Sequence, residues 1–350
     1  MIFVSSTIHV YTKKIESSTV NNKKIFHIND IANVGKLLVD GQKNLGYDSQ
    51  LFNIKIPFAK QKLIIKLLFL PLRLFYLIKL NRFITNEKPD IVHIHYAYLG
   101  WLGILGRYKY YLHCHGADVR FDLNHPITKL WVKKSLKRAE KVFYSTPDLR
   151  QVLQKVRPDS IFIPNPVEIV PLEKKPEINP IKILIFSEID DKKKGSNIAF
   201  DVSKIINDWN NNIEIHALKF GKDLQKYEKI KWIQFHDKLN RSDVIPFINT
   251  FNIIIGQFSY GSIGVAELES MSCKKPVISY FNYPNFYDEV PPILKTKDPH
   301  LIAEYIKEII IDNKIIKVGE KCFNWVKENH EFNNIAKKIT EYYDFQQSSQ

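Results

Sequence analysis

Twice along this chain, short β-branched and aromatic runs alternate with longer helix-patterned stretches, and a proline-rich break separates the two series. In the first series KIFHI (24–28), DIVHIH (90–95), YYLHCH (110–115) and KVFYST (141–146) read as buried strands, and GKLLVDGQKNLG (35–46) as the helix behind the first. IFIPNPVE (161–168) ends on Pro-Asn-Pro, and residues 169–180 are rich in Pro, Glu and Lys, which marks a linker. The second series is KILIFSE (182–188), a helix from about 196, IEIHAL (213–218), KWIQF (231–235), FNIIIG (251–256), a further helix and PVISY (276–280). Strand–helix–strand alternation needs crossover connections and therefore parallel sheets. The 350 residues exceed what one core usually holds. The pattern predicts an α/β protein of two doubly wound, Rossmann-like domains facing across a cleft, with ligands at the carboxyl ends of the strands. The boundaries expected are 1–166, 167–334, and a last helix over 335–350 packing back toward the first domain.

Charge divides unevenly. Of the net +14, residues 1–165 carry +15 and residues 166–350 carry −1. One basic half suggests a surface that meets anionic phosphate or lipid. Residues 61–84, QKLIIKLLFLPLRLFYLIKLNRFI, are too interrupted by charge to span a bilayer. Two readings of them stand: a helix pair packing in the core, or a basic amphipathic surface on anionic lipid, with Lys62, Lys66 and Arg73 on one face. Pro71 should break this segment or open a second helix. Cys114, Cys273 and Cys322 are odd in number and widely spaced, so no disulfide framework is expected and a reducing compartment is. The start, MIFVSSTIHVYTKK, has no basic stretch ahead of its apolar run, and no secretory signal is predicted. No interleaved aromatic platform or recognition helix points to nucleic acid.

Three strand exits carry candidate chemistry. At His113-Cys114-His115-Gly116-Ala117-Asp118-Val119-Arg120, His115 leaves the strand beside a glycine and can hydrogen-bond a sugar hydroxyl or phosphate, or steady a developing charge. Three adjacent strand positions cannot all face one ion, so no metal is expected there. At Asp190-Asp191-Lys192-Lys193-Lys194-Gly195-Ser196, Ser196 reads as an N-cap, and a lysine at a helix start suits a diphosphate held by Lys194 and free amides. At YGSIGVAELES (260–270), Gly261 and Gly264 allow a tight turn that presents amides to an anion. Glu267 and Glu269 lie about 200° apart around a helix and cannot share a ligand. Glu269 is the better acceptor of vicinal hydroxyls, with Glu267 solvated or stabilising the dipole.

These residues carry a resemblance. Glu267-Leu268-Glu269-Ser270-Met271-Ser272-Cys273-Lys274-Lys275-Pro276-Val277-Ile278, with KPDIVHIH, HCHGADVR, FIPNPVE and the KKG of 193–195, resembles the retaining GT-B glycosyltransferases with the glycosyl transferases group 1 signature. The resemblance covers roughly residues 24–345. It implies a metal-independent enzyme without cofactor, moving a sugar from a nucleotide-diphosphate sugar to a glycan or lipid-linked acceptor in surface polysaccharide or glycolipid synthesis. With the widely spaced cysteines and the basic first half, a cytoplasmic protein is expected, peripheral on the inner face of the membrane. His115 would lie near the reacting carbon, and Gly35 in a loop facing the phosphates. Asp118 and Arg120 would belong to the acceptor side. Lys194, Lys193, Gln257, Gly261, Ser262, Ile263, Gly264 and Glu269 would hold the donor. Two departures stand out. Gly261 occupies the place of the first glutamate of the family's pair, leaving sugar contacts to backbone amides near Gln257. The usual arginine is also absent near Ser187-Glu188, where Lys192 or Lys193 would substitute. The rival implied by these departures is a nucleotide-sugar or glycan-binding protein of the same fold without catalysis.

Overall fold

A computed structural model describes residues 21–54, 70–126, 128–170, 179–210 and 212–345 of the chain. Strands β1 (Asn21–Ile28), β2 (Tyr47–Phe52), β3 (Ile91–His95), β4 (Tyr111–Cys114), β5 (Val142–Tyr144) and β6 (Ile161–Phe162) form one sheet. Strands β7 (Lys182–Ile185), β8 (Glu214–Leu218), β9 (Ile233–His236), β10 (Ile253–Ile255) and β11 (Val277–Ile278) form a second. The described residues include helices α1 (Val34–Asn44), α2 (Leu70–Glu87), α3 (Trp101–Gly106), α4 (Lys129–Arg138), α5 (Ser196–Trp209), α6 (Val265–Ser272), α7 (Pro299–Ile311), α8 (Ile315–His330) and α9 (Phe332–Thr340). The chain divides into two compact units, residues 1–166 with 332–350, and residues 167–331.

The first unit has strand order β2-β1-β3-β4-β5-β6, every neighbouring pair parallel. The strands predicted in this half are present. β2, YDSQLF, is an edge strand whose alternating polar residues carry no continuous apolar run to announce it. α1 buries Val34, Leu37, Leu38 and Gly41, and α9 buries Ile335, Ala336 and Ile339 against it. Gly41 lets the two helices touch: a Cβ there would lie 2.5 Å from Ala336 Cβ and 3.0 Å from the Phe332 carbonyl.

The second unit has order β11-β10-β7-β8-β9, again all parallel. Because side chains alternate across a strand, KILI and III serve two cores at once. Ile183, Ile185, Ile253 and Ile255 pack with Phe200, Ile206, Ile302 and Ile306 of α5 and α7. Leu184 and Ile254 pack on the other face with Leu268 and Met271 of α6 and Trp325 and Val326 of α8. A sheet covered on both faces explains why these strands read as unbroken apolar runs.

Of the 61–84 segment, Lys62 and Lys66 lie outside the described residues, as does the Arg73 side chain, so the predicted basic face falls there. Pro71 is the second residue of α2 as described, and the chain ahead of Leu70 lies outside the described residues. α2 buries Leu77, Leu80 and Ile84, while Leu72, Phe75 and Ile78 are about half exposed or more. No helix among the described residues is long and apolar enough to cross a membrane.

Overpacking between α1 and α9 should be costly. Gly41→Val is expected to destabilise the protein by about 1–3 kcal/mol, read from the urea unfolding midpoint. An unchanged midpoint would show that α9 does not dock as described.

Candidate functional site

In the second unit the chain winds from β7 out to β9, then returns to the other side of β7 with β10. The loops leaving β7 and β10 are therefore neighbours that diverge, the place where doubly wound sheets bind ligands. The loop after β7 ends in a helical turn, Asp191–Lys194, capped by Asp190, whose carboxylate accepts the Lys193 amide at 2.8 Å. Gly195 follows with φ 68°, packed on Phe258 of the β10 loop. Ser196 is not the N-cap expected from the sequence. Its hydroxyl is spent inside the loop, accepting from the Asp190 amide at 2.9 Å and donating to the Glu188 carbonyl at 3.2 Å, and Gly195 holds the cap position. The amides of Lys193, Lys194 and Gly195 are likewise taken by Asp190 and Asp191. What this loop offers an anion is the ammonium of Lys194, which donates to Gln257 Oε1 at 3.2 Å; Lys193 Nζ lies 3.8 Å from Asp190.

The β10 loop is built on Glu267. Its buried carboxylate accepts the Gln257 amide at 2.9 Å and the Gly264 amide at 3.1 Å, tying the start of α6 to the strand exit. Glu267 is therefore a capping residue and is not solvated. Gln257 Nε2 donates to the Ser262 carbonyl at 3.0 Å, so Lys194, Gln257 and Ser262 form one chain of contacts. Gly264's amide is consumed. The amides of Gly261, Ser262 and Ile263 have no acceptor among the described residues, and the buried Ser262 hydroxyl has no partner either. Consecutive N–H groups without acceptors, near a lysine and an orphan hydroxyl, are of the kind suited to an anion. Gly261 adopts φ 68°, and a Cβ there would meet Tyr280 and Asn282 at 3.1 and 3.2 Å, so a glutamate at this position would strain the loop.

Glu269 is buried on α6 and pairs with Arg241, whose side chain is half exposed. Burial raises the Glu269 carboxyl, and the Arg241 guanidinium offsets part of that rise. Arg241 belongs to the first turn after Asn240 and carries no motif, so sequence reasoning missed it. Lys275 of the KKPV stretch is spent within the second unit. Its buried ammonium donates to the Asn249 and Phe251 carbonyls at 3.1 and 2.7 Å, and burial lowers it to about 8.

In the first unit the reversal lies between β1 and β3, and there the sheet carries five histidines on one face. Register pairs His27 with His93 and His95 with His113, and His115 follows at the end of β4. Cys114 takes the opposite face and is buried. A metal would have to be sought in this cross-strand cluster, where groups of three histidines bring nitrogens within 4.8 Å of one another, and not in the triplet 113–115. Nitrogens that face one another lie within hydrogen-bond distance. His27 Nδ1 lies 2.9 Å from His95 Nε2, His95 Nδ1 lies 2.9 Å from His115 Nε2, and His93 Nε2 lies 3.3 Å from His113 Nδ1.

Three other expected residues are already committed. Asp118 is fully buried and accepts the amides of Ala97, His115, Gly116 and Val119, so it shapes the loop and cannot reach an acceptor substrate. Arg120 is held by the Asp148 carboxylate at 2.6 and 2.9 Å and by Thr146. Gly35 donates its amide to Asp30 Oδ1 at 2.9 Å and is unavailable to a phosphate.

Comparison with known proteins follows the same lines. Residues 43–170 match the sequence profile of Glycosyltransferase Family 4. No curated protein matches the chain in sequence. Among solved structures, the sucrose-phosphate synthase of Thermosynechococcus elongatus superposes with a TM-score of 0.68 at 13% identity, covering 92% of this chain and 98% of that one. HepE from Anabaena, in complex with UDP and glucose, gives 0.66 at 12% identity, covering 91% and 99%. A TarM mutant from S. aureus, in complex with fondaparinux, alpha-GlcNAc-glycerol and UDP, gives 0.62 at 14% identity over 77% of this chain and 59% of that one. The fold is that of the GT-B glycosyltransferases: two Rossmann-like units, each on a parallel sheet.

Burial keeps the histidine cluster neutral. His27 is lowered from 6.5 to about 4 and His115 to about 3, while His93, His95 and His113 are lowered further by one another. The unfolded chain thus binds more protons than the folded one below pH 6.5. Stability is fully present above that value and declines as pH falls, with His27 alone responsible for up to about 3 kcal/mol by pH 4. Urea unfolding midpoints should therefore drop steeply between neutral pH and pH 5, and a flat profile would contradict a buried neutral cluster.

Proposed function

We propose that the protein is a glycosyltransferase that takes a sugar from a nucleotide-diphosphate donor and passes it, with retention, to a glycan or lipid-linked acceptor. The observation that carries this reading is the anion seat between β7 and β10: Lys194, three free amides and the unpartnered hydroxyl of Ser262. A diphosphate supplies the acceptors these groups lack. The fold is shared with HepE, determined with UDP and glucose, and with TarM, determined with UDP and alpha-GlcNAc-glycerol. Both complexes support a uridine diphosphate sugar as the first donor to try.

In this reading Glu269 accepts the two ribose hydroxyls, and Arg241 gives way as they arrive. Such an exchange suits a buried carboxylate that needs a partner in either state. The leaving diphosphate gains negative charge in the transition state. Fixed N–H donors and an ammonium at the seat stabilise that charge without reorganising, worth roughly 3 kcal/mol per well-placed donor. With that charge met by protein groups, the reaction is expected to proceed without a metal. His115 stands at the carboxyl end of β4 as the group offered to the reacting sugar.

The acceptor side of the proposal is a membrane surface. Leu72, Phe75 and Ile78 of α2 and Leu105 of α3 are exposed, α3 packs against both α2 and α4, and α4 exposes Leu130 and Trp131 among Lys129, Lys134 and Lys137. Exposed apolar side chains among cations suit anionic lipid, which would hold a lipid-linked acceptor near the first unit.

Two measurements test the proposal. Lys194→Ala and Glu269→Ala should each weaken UDP binding about 10–100-fold by calorimetry, the cost of a lost charged hydrogen bond, while Lys204→Ala on α5 leaves it unchanged. A wild-type protein that binds neither UDP nor a UDP-sugar would end the reading, and binding without transfer to any acceptor would favour the non-catalytic rival. Phe75→Glu should abolish sedimentation with phosphatidylglycerol vesicles without altering UDP affinity. Equal sedimentation of both proteins would remove α2 from the membrane surface.

A further inference from the structure

The five histidines do more than fill the sheet face. A single hydrogen-bonded path runs from the floor of the first unit to His115. Gln42, buried on α1, receives the Ser49 hydroxyl on Oε1 at 2.7 Å, and the same oxygen lies 2.8 Å from His27 Nε2. His27 Nδ1 then meets His95 Nε2, and His95 Nδ1 meets His115 Nε2, both at 2.9 Å. Ring centroids at 5.2 and 5.1 Å, with planes 28° and 25° apart, put the three imidazoles edge to edge and close to one plane. Each contact therefore lies along a lone pair and an N–H bond.

We propose that Gln42 is a positioning residue that fixes, through His27 and His95, which nitrogen of His115 carries the proton. The inference rests on the function proposed above, because it takes His115 to face the sugar. An amide oxygen can only accept, so His27 must carry its proton on Nε2. A neutral imidazole has one donor and one acceptor, which leaves His27 Nδ1 to accept from His95 Nε2–H. In turn His95 Nδ1 accepts from His115 Nε2–H. His115 Nδ1 is left as a bare lone pair, and it has no partner among the described residues. A lone pair takes a hydroxyl proton and repels a phosphate oxygen, so His115 is built to grip a sugar hydroxyl and not the diphosphate.

The path holds a tautomer and does not conduct protons away. Gln42 cannot be protonated, so a proton arriving at His115 has no exit beyond His27. The Gln42 amide nitrogen completes the circuit, donating to Tyr343 OH at 3.4 Å, and Tyr343 lies 2.8 Å from His93 Nδ1. The segment after α9 thus braces the amide in the orientation that sets the chain. A flipped amide would reverse every donor and acceptor from Gln42 to His115 together.

Nitrogen-15 NMR of histidine-labelled full-length protein at neutral pH distinguishes the two tautomers of each ring. Wild type should show His27, His95 and His115 all protonated on Nε2. Gln42→Glu, whose carboxylate also only accepts, should keep that pattern. Gln42→Leu should release it, with a second tautomer of His115 populated to about one part in ten or more, a difference of less than about 1.4 kcal/mol. His115 protonated on Nδ1 in wild type overturns the proposal, as does an unchanged single tautomer in Gln42→Leu. If the leucine variant does not fold, wild type and Gln42→Glu decide alone, since loss of the pattern in either overturns it. UDP calorimetry on the same samples separates the two claims: no UDP binding with an intact tautomer pattern removes the transferase reading and leaves the relay standing.

Discussion

Parallel strands cannot be joined by hairpins, so each connection must cross a face of the sheet, and the right-handedness of that crossing decides which face is covered. A chain that needs both faces covered has to begin on an inner strand, wind outward, and return to wind the other way. Among the described residues, β1 and β7 are inner strands from which the winding runs both ways. Where the winding reverses, two adjacent strands send their loops apart and leave their carboxyl ends open. Lys194 and the Gly261–Ile263 amides meet at one such point, and His27 and His95 at the other.

Within those openings, the groups fit for chemistry are the ones that folding has not consumed. Glu267, Asp118 and Lys275 are buried ionisable side chains, and each is satisfied by backbone amides or carbonyls. Their work is to hold loops in conformations that would otherwise leave polar groups stranded. Glu269, Lys194, the Ser262 hydroxyl and His115 Nδ1 are different. They are paired with one half-exposed side chain, paired with a neutral one, or not paired at all among the described residues. A ligand completes such groups, whereas it would have to break the others free.

Period-two histidines in HIH and HCH show that these residues share a sheet face, but not that β1 and β4 flank β3 in the register that joins them. Asp118 and Arg120 looked available because they follow His115 at a strand exit. Their spacing says nothing of the amides and of Asp148, which lie up to 28 residues away and absorb them. Arg241 had no visible signal, since its partner is 28 residues ahead and the contact exists only once the 241–243 turn approaches α6. β2 was hidden because an edge strand can be polar without loss of stability.

The sequence by itself determined the parallel α/β architecture and the alternation that serves two cores per sheet. Those are local matters of periodicity. Only the tertiary structure decided which polar groups are spent and which are free, because a hydrogen bond is settled by distance in space and not along the chain. The proton on His115 is the extreme case. It is assigned by an amide on α1, through two intervening imidazoles.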